Sequence, residues 1–182
     1  MKGNNIILVG MMGAGKSTVA KELVKLLDSF TIRDIDNLIE DSANLSIPEI
    51  FAQFKEDGFR QIESDVIKSV CQNDNQIVST GGGAFENPEN RKVLLNSGKV
   101  FYLYAPSQVL YDRIKTQGNR PLLNCENPKE VFDELLDKRD KNYRKADYTI
   151  DTSSLTPELV AKEILRSLNE TFDISSNTTG QS

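Results

Sequence analysis

Apolar positions along the chain fall into two alternating patterns, short unbroken runs and longer stretches at helical spacing. Ile6 to Val9 is a run closed by Gly10, and Val19, Leu23, Leu26 and Leu27 then recur at helical spacing. Phe30–Arg33 predicts a second short strand, which runs into Asp34-Ile35-Asp36 and a helix through Leu38 and Ile39. Ser46-Ile47-Pro48-Glu49 has the form of a capping box with proline in the first turn. It opens a helix carrying Ile50, Phe51 and Phe54, and a break near Asp57-Gly58 separates this from a longer helix with Ile62, Val66, Ile67 and Val70. Gln76–Thr80 reads as a strand that stops at Gly81-Gly82-Gly83, and Asn87-Pro88 starts a helix ending near Gly98. Lys99–Tyr104 is a strand, with a helix from about Ser107 to Lys115 after it. Thr116–Asn127 has little periodicity and reads as a loop. Asn127-Pro128-Lys129-Glu130 caps a helix to about Ala146, Tyr148–Asp151 is the last strand, and Thr156-Pro157-Glu158 caps a final helix to about Asn169.

Five short apolar strands alternating with helices predict an α/β protein, a parallel sheet covered on both faces in three layers. In such sheets ligands sit beyond the carboxyl ends of the strands. Here those ends carry the Gly10–Ser17 loop, Asp34/Asp36 and Gly81–Gly83, so three informative clusters are expected on one rim. One domain over residues 1–170 is expected, and 171–182 is a polar segment expected to be a disordered tail.

Composition narrows the function by exclusion. The net charge of −5 and pI near 4.9 leave no broad basic face for nucleic acid. The first apolar run is too short for a signal and no run has the length of a membrane span, so a cytoplasmic protein is expected. Cys71 and Cys125 have no metal-ligand spacing around them. Histidine is absent, so a general base must be a carboxylate, lysine or tyrosine.

Gly10, Gly15, Lys16 and Ser17, with Gly13 between them, match the phosphate-binding pattern G-x-x-x-x-G-K-[ST]. Glycines let successive backbone N–H groups approach phosphate oxygens, and the helix that follows offers its N-terminus to the anion. Lys16 is placed to reach the β- and γ-phosphates and Ser17 to ligate Mg²⁺. Asp34 and Asp36, at i and i+2, would share one side of a strand end, one for the metal and one for a substrate hydroxyl. Arg60 is either a bidentate clamp on a substrate carboxylate or a surface partner of Glu63, and residue type leaves both open. Three glycines at Gly81–Gly83 exceed what a turn requires and suggest close backbone approach by a ligand. Arg120 lies in the long loop, which has the character of a lid, and Arg139 could face the site or the solvent.

In their order and spacing these residues resemble the shikimate kinase family. The resemblance rests on the phosphate loop at Gly10–Ser17, D-x-D at Asp34/Asp36, F-R-x-x-E at Phe59–Glu63, G-G-G at Gly81–Gly83, R-P-L-L at Arg120–Leu123 and R-x-x-x-Y at Arg139–Tyr143. It implies the P-loop kinase fold of the nucleoside-monophosphate-kinase group. The expected features are strand order 2-3-1-4-5, a helical substrate-binding region at about 34–62 and a lid at about 116–126. It implies ATP-dependent phosphorylation of the 3-hydroxyl of shikimate, with Mg²⁺ as cofactor. A monomer is expected. On that pattern Asp36 is the base, with Lys16 and Arg120 also catalytic. Asp34, through water, and Ser17 serve the metal. Gly13, Ala14, Gly15, Lys16, Ser17, Thr18, Arg113, Arg120 and Pro157 bind ATP. Met12, Asp36, Phe51, Phe59, Arg60, Gly81, Gly82, Gly83 and Arg139 bind shikimate, and Glu63 orients the substrate arginine. The family often has Gly-Glu before the F-R segment, where this chain has Lys55-Glu56. Another small-molecule P-loop kinase, acting on a nucleoside monophosphate or a sugar acid, is the alternative. A nucleotide switch is disfavoured because the N-K-x-D guanine motif is missing.

Overall fold

The first strand, β1 (Asn5–Val9), is buried at every residue, because neighbouring strands and helices cover it on all sides. The computed structural model describes residues 3–115 and 126–177. After β1 come α1 (Lys16–Val24), β2 (Thr31–Asp34), α2 (Ile35–Ala43), α3 (Ile47–Val70), β3 (Gln76–Ser79) and α4 (Pro88–Ser97). The chain continues with β4 (Gly98–Tyr104), α5 (Ser107–Ile114), α6 (Pro128–Tyr143), β5 (Tyr148–Asp151) and α7 (Pro157–Asn177). The five strands form one parallel sheet in the order β2-β3-β1-β4-β5, flanked by helices, as expected. Continuous apolar runs such as β1 and β4 are what a sheet covered on both faces requires. β2, at the edge, alternates between exposed and half-buried positions instead.

Register carries the functional rim. Leu8 of β1 pairs with Ser79 of β3 and Phe101 of β4, while Asp34 of β2 also pairs with Ser79. The carboxyl ends of β1, β2 and β3 therefore finish side by side.

Several boundaries differ from expectation. The capping box forms, with Glu49 Oε2 accepting from the Ser46 N–H at 2.8 Å. The break expected near Asp57-Gly58 lies instead at Lys55, whose φ of 60° and ψ of −171° interrupt α3. Gly58 is helical, and its missing side chain makes room: a Cβ there would stand 2.4 Å from that of Phe54. α6 ends at Tyr143 rather than near Ala146. α7 runs to Asn177, past the expected end near Asn169 and into the segment expected as a disordered tail. Its inward stripe is set by Val160, Ala161 and Ile164, which are buried. Among the described residues no helix is long and apolar enough to cross a membrane.

Candidate active site

At the end of β1 the chain turns through Gly10–Gly15 and enters α1. Gly13, with φ of 84°, takes a backbone conformation side chains rarely adopt, and a Cβ there would be 2.7 Å from the Leu110 carbonyl oxygen. Gly15 is the N-cap of α1 and no side chain caps that end. The N–H groups of the first turn have no intrahelical acceptors, so the loop closes on a concentration of donors suited to an anion. The Lys16 ammonium donates to the carbonyls of Gly10 and Met11 at 2.8 and 3.1 Å, and lines the same cleft.

Asp34 and Asp36 do not share a strand face. Asp34 ends β2 and caps α2, where its Oδ1 accepts from the Asp36 N–H at 3.2 Å. Asp36 is already helical, so the backbone rotates between them and the two carboxylates serve different neighbours. Asp34 Oδ2 accepts from the Ser17 hydroxyl at 2.8 Å, and the Ser17 and Ser79 hydroxyls lie 3.2 Å apart. This trio offers hard oxygen donors, the type Mg²⁺ prefers. No group of three or more His, Cys, Asp or Glu suited to a metal occurs among the described residues. A metal here would therefore depend on hydroxyls, one carboxylate and the nucleotide's own phosphates. Sequence reasoning misses Ser79, whose one signal is its place as the last strand residue before the glycines.

Beyond β3, Gly81–Gly83 face charged side chains of other elements. A Cβ at Gly81 would be 2.7 Å from Asp36 Oδ1 and 3.4 Å from Glu63 Oε1. One at Gly82 would be 3.1 Å from Arg139 Nη1, and one at Gly83 would be 2.7 Å from both terminal nitrogens of Arg60. Three successive glycines thus admit a carboxylate and two guanidinium groups in turn. The close approach that the glycines permit is made here by the protein's own charged side chains. None of the three glycine N–H groups donates to a group of the described residues.

Arg60 makes the expected pair with Glu63 and also turns toward the glycines. It donates to Glu63 Oε2 at 2.8 Å and stands 5.2 Å from the centre of the Phe59 ring, while reaching Gly83. Glu63 is 1% exposed, and burial pushes its carboxyl up despite the opposing pull of Arg60. Arg139 shares the buried stripe of α6 with Phe132, Leu136 and Tyr143, which turns it inward. Glu63 Oε1 and Arg139 Nε are buried without a hydrogen-bond partner. Buried polar atoms in this state mark a place where a ligand or water completes the set.

Met12, Gly13, Gly15, Lys16, Ser17, Thr18, Asp36, Gly81 and Gly82 line one cleft of about 520 Å³, together with Arg113. Gly83, Arg60 and Arg139 lie beyond that lining, next to Gly81 and Gly82, and Phe51 and Phe59 stack at 4.6 Å between ring centres on the Arg60 side. A second recess of about 260 Å³ adjoins it, lined by Ala14, Arg113, Thr152, Leu155 and Pro157 among others. Arg113 donates to the Thr152 carbonyl at 2.6 Å and the Gly13 carbonyl at 3.4 Å, so it braces the phosphate loop from behind. Sequence reasoning also misses Thr152, since nothing local distinguishes it. Arg120 and the lid expected at 116–126 fall on residues 116–125, outside the described residues, apart from Glu126.

A parallel sheet in this order, with a phosphate loop beside a carboxylate and two arginines, defines a small-molecule kinase of the P-loop class. The family model for shikimate kinase matches residues 12–169. A shikimate kinase of Thermodesulfovibrio yellowstonii is 45% identical over 162 residues, 89% of this chain and 93% of that protein. The structure of a shikimate kinase from Acinetobacter baumannii in complex with shikimate matches with a TM-score of 0.87 and 39% identity, over 93% of this chain and 94% of that one. That of Aquifex aeolicus shikimate kinase matches at 0.79 and 34% identity, over 97% and 99%. The chain belongs to the shikimate kinase family.

Proposed function

We propose that this chain transfers the γ-phosphoryl group of ATP to the 3-hydroxyl of shikimate, giving shikimate 3-phosphate and ADP, on the route to chorismate and the aromatic amino acids. The observation that carries this is the row Gly81–Gly83, set in turn against Asp36 with Glu63, Arg139 and Arg60. Shikimate is a small ring with one carboxylate and several hydroxyls. Two guanidinium groups suit the carboxylate, and an aspartate with backbone donors beside it suits the hydroxyls.

Phosphoryl transfer needs positioning and charge neutralisation more than covalent chemistry. ATP would rest its phosphates on the loop, held by Lys16 and the α1 N-terminus, with the adenine toward Arg113 and Pro157. Mg²⁺ is the proposed divalent ion, held by Ser17 and Asp34 with Ser79 beside them, and it would neutralise phosphate charge when bound. Asp36 accepts a hydrogen bond from the 3-hydroxyl and takes its proton as the new O–P bond forms. Arg60 and Arg139 bind the carboxylate, and Glu63 holds Arg60 in place. Met12 walls the apolar side of the ring, and the stacked Phe51 and Phe59 support Arg60. Arg120 is assigned to the transferring phosphate on the family pattern. A monomer acting in the cytoplasm, where both small-molecule substrates are dissolved, is part of the proposal.

The test is ADP release with ATP and Mg²⁺ across shikimate, quinate, gluconate, AMP and CMP. Shikimate should be the acceptor used. Turnover of a nucleotide or of gluconate with none of shikimate would overturn the proposal.

A further inference from the structure

Arg139 and Tyr143 belong to one motif, and only the arginine has a part in binding the acceptor. Tyr143 lies one turn further along the same face of α6 and is 1% exposed. Its hydroxyl donates to the carbonyl oxygen of Gly82. Burial pushes the phenol well above its ordinary range, with Arg139 opposing, so the group stays a protonated donor.

That carbonyl has a consequence for the pocket. The Gly82–Gly83 peptide is trans, so the Gly83 N–H points away from the Gly82 C=O. Holding the carbonyl toward α6 directs the N–H to the other side. Three glycines in a row have no side chains to fix their own backbone. Turn bonds from the Ala84 and Glu86 N–H groups hold the Gly81 and Gly83 carbonyls at 3.2 and 3.0 Å, which leaves the Gly82 carbonyl to Tyr143. The loop beyond is tied to α6 separately, through Asn142 Nδ2 to Glu86 Oε1 at 2.8 Å. Arg91, itself 3.3 Å from Asn142 Oδ1, donates to the Phe85 carbonyl at 2.9 Å. Those bonds dock the loop; of the set, the Tyr143 hydroxyl is the one that orients the peptide after Gly82.

We propose that Tyr143 is a positioning residue for the acceptor, whose hydroxyl holds the Gly82 carbonyl toward α6 and so fixes the Gly83 N–H on the opposite side of that peptide as a donor to shikimate. This rests on the proposed activity toward shikimate. Tyr143→Phe keeps the ring and removes the hydroxyl. Tyr102→Phe is the control: its ring lies 5.0 Å from that of Tyr143, and its hydroxyl donates to Asp140 of the same helix at 2.8 Å, not to the loop. One neutral hydrogen bond contributes roughly 0.5–1.5 kcal/mol net, which corresponds to a fold-change of about two to ten. Tyr143→Phe should therefore raise the KM for shikimate by about that factor with the KM for ATP unchanged. Amide exchange at Ala84 and Glu86, whose N–H groups donate to the Gly81 and Gly83 carbonyls at 3.2 and 3.0 Å, should be faster than in wild type or Tyr102→Phe. Three results would overturn the proposal: a lowered Tm with an unchanged KM for shikimate, an equal rise in the KM for ATP, or the same KM change in Tyr102→Phe. If the wild-type protein used no shikimate, the activity would fall as a reading. The exchange comparison would still decide whether Tyr143 orders the glycines.

Discussion

Lys55 stands at a backbone conformation that belongs to glycine. Its φ of 60° with ψ of −171° lies where a Cβ meets its own backbone, and a residue other than glycine there costs about 1–3 kcal/mol. Replacing it by glycine removes that cost but adds about 0.5–1 kcal/mol of unfolded-chain entropy. Little else is lost: the Lys55 side chain is exposed, and its ammonium makes only a 3.4 Å approach to the Ala52 carbonyl among the described residues. The net is a stabilisation of about 1 kcal/mol for Lys55→Gly, obtained by difference from those two ranges. In a domain of this size that raises Tm by roughly 2–4 °C. Thermal unfolding followed by circular dichroism reads it directly. Lys55→Ala is the control, because it keeps the Cβ and should show no gain. The KM for shikimate should be unchanged in Lys55→Gly, since the kink is kept and Arg60 is held by Glu63 and Phe59. A lower Tm for Lys55→Gly, or an equal rise for Lys55→Ala, would refute the attribution to backbone strain.

Asp36→Asn should lower kcat by roughly 10²–10⁴-fold, the usual range for a lost general base. ATP binding by calorimetry should stay unchanged, and near-normal turnover would remove Asp36 from that role. Glu63 gives a prediction in pH. Its folded carboxyl titrates above its unfolded value, so folding takes up a proton between the two. The associated stability is present below the ordinary glutamate range and is lost as pH rises through the folded value. The stability of wild type relative to Glu63→Gln should therefore decline with rising pH across that window, by at most about 1.4 kcal/mol per pH unit. Denaturant unfolding from pH 4 to 8 measures this, and a flat or rising difference would contradict the burial argument.

Much of the architecture is legible in the chain because it is written locally. Unbroken apolar runs between amphipathic stretches specify a parallel sheet, and the spacing from Gly10 to Ser17 needs no distant partner to bind phosphate. The sequence by itself therefore determined the strands, the layered α/β architecture and the donor half of the site. It also supplied the residues proposed to bind the acceptor, through motifs whose joint spacing resembles one family. What it could not decide depends on contacts between remote segments. Period alone does not say that the stripe of α6 carrying Arg139 faces inward; packing of Phe132, Leu136 and Tyr143 against the core does. Two aspartates at i and i+2 read as one strand edge, yet the helix begins between them and sends one to Ser17 and the other to Gly81. Ser79 and Thr152 are ordinary residues in the sequence, and only strand register and the reach of Arg113 bring them to the site. Tertiary structure also decided that Lys55 adopts a glycine's backbone, at the kink between the two halves of α3, where nothing in the local sequence marks it.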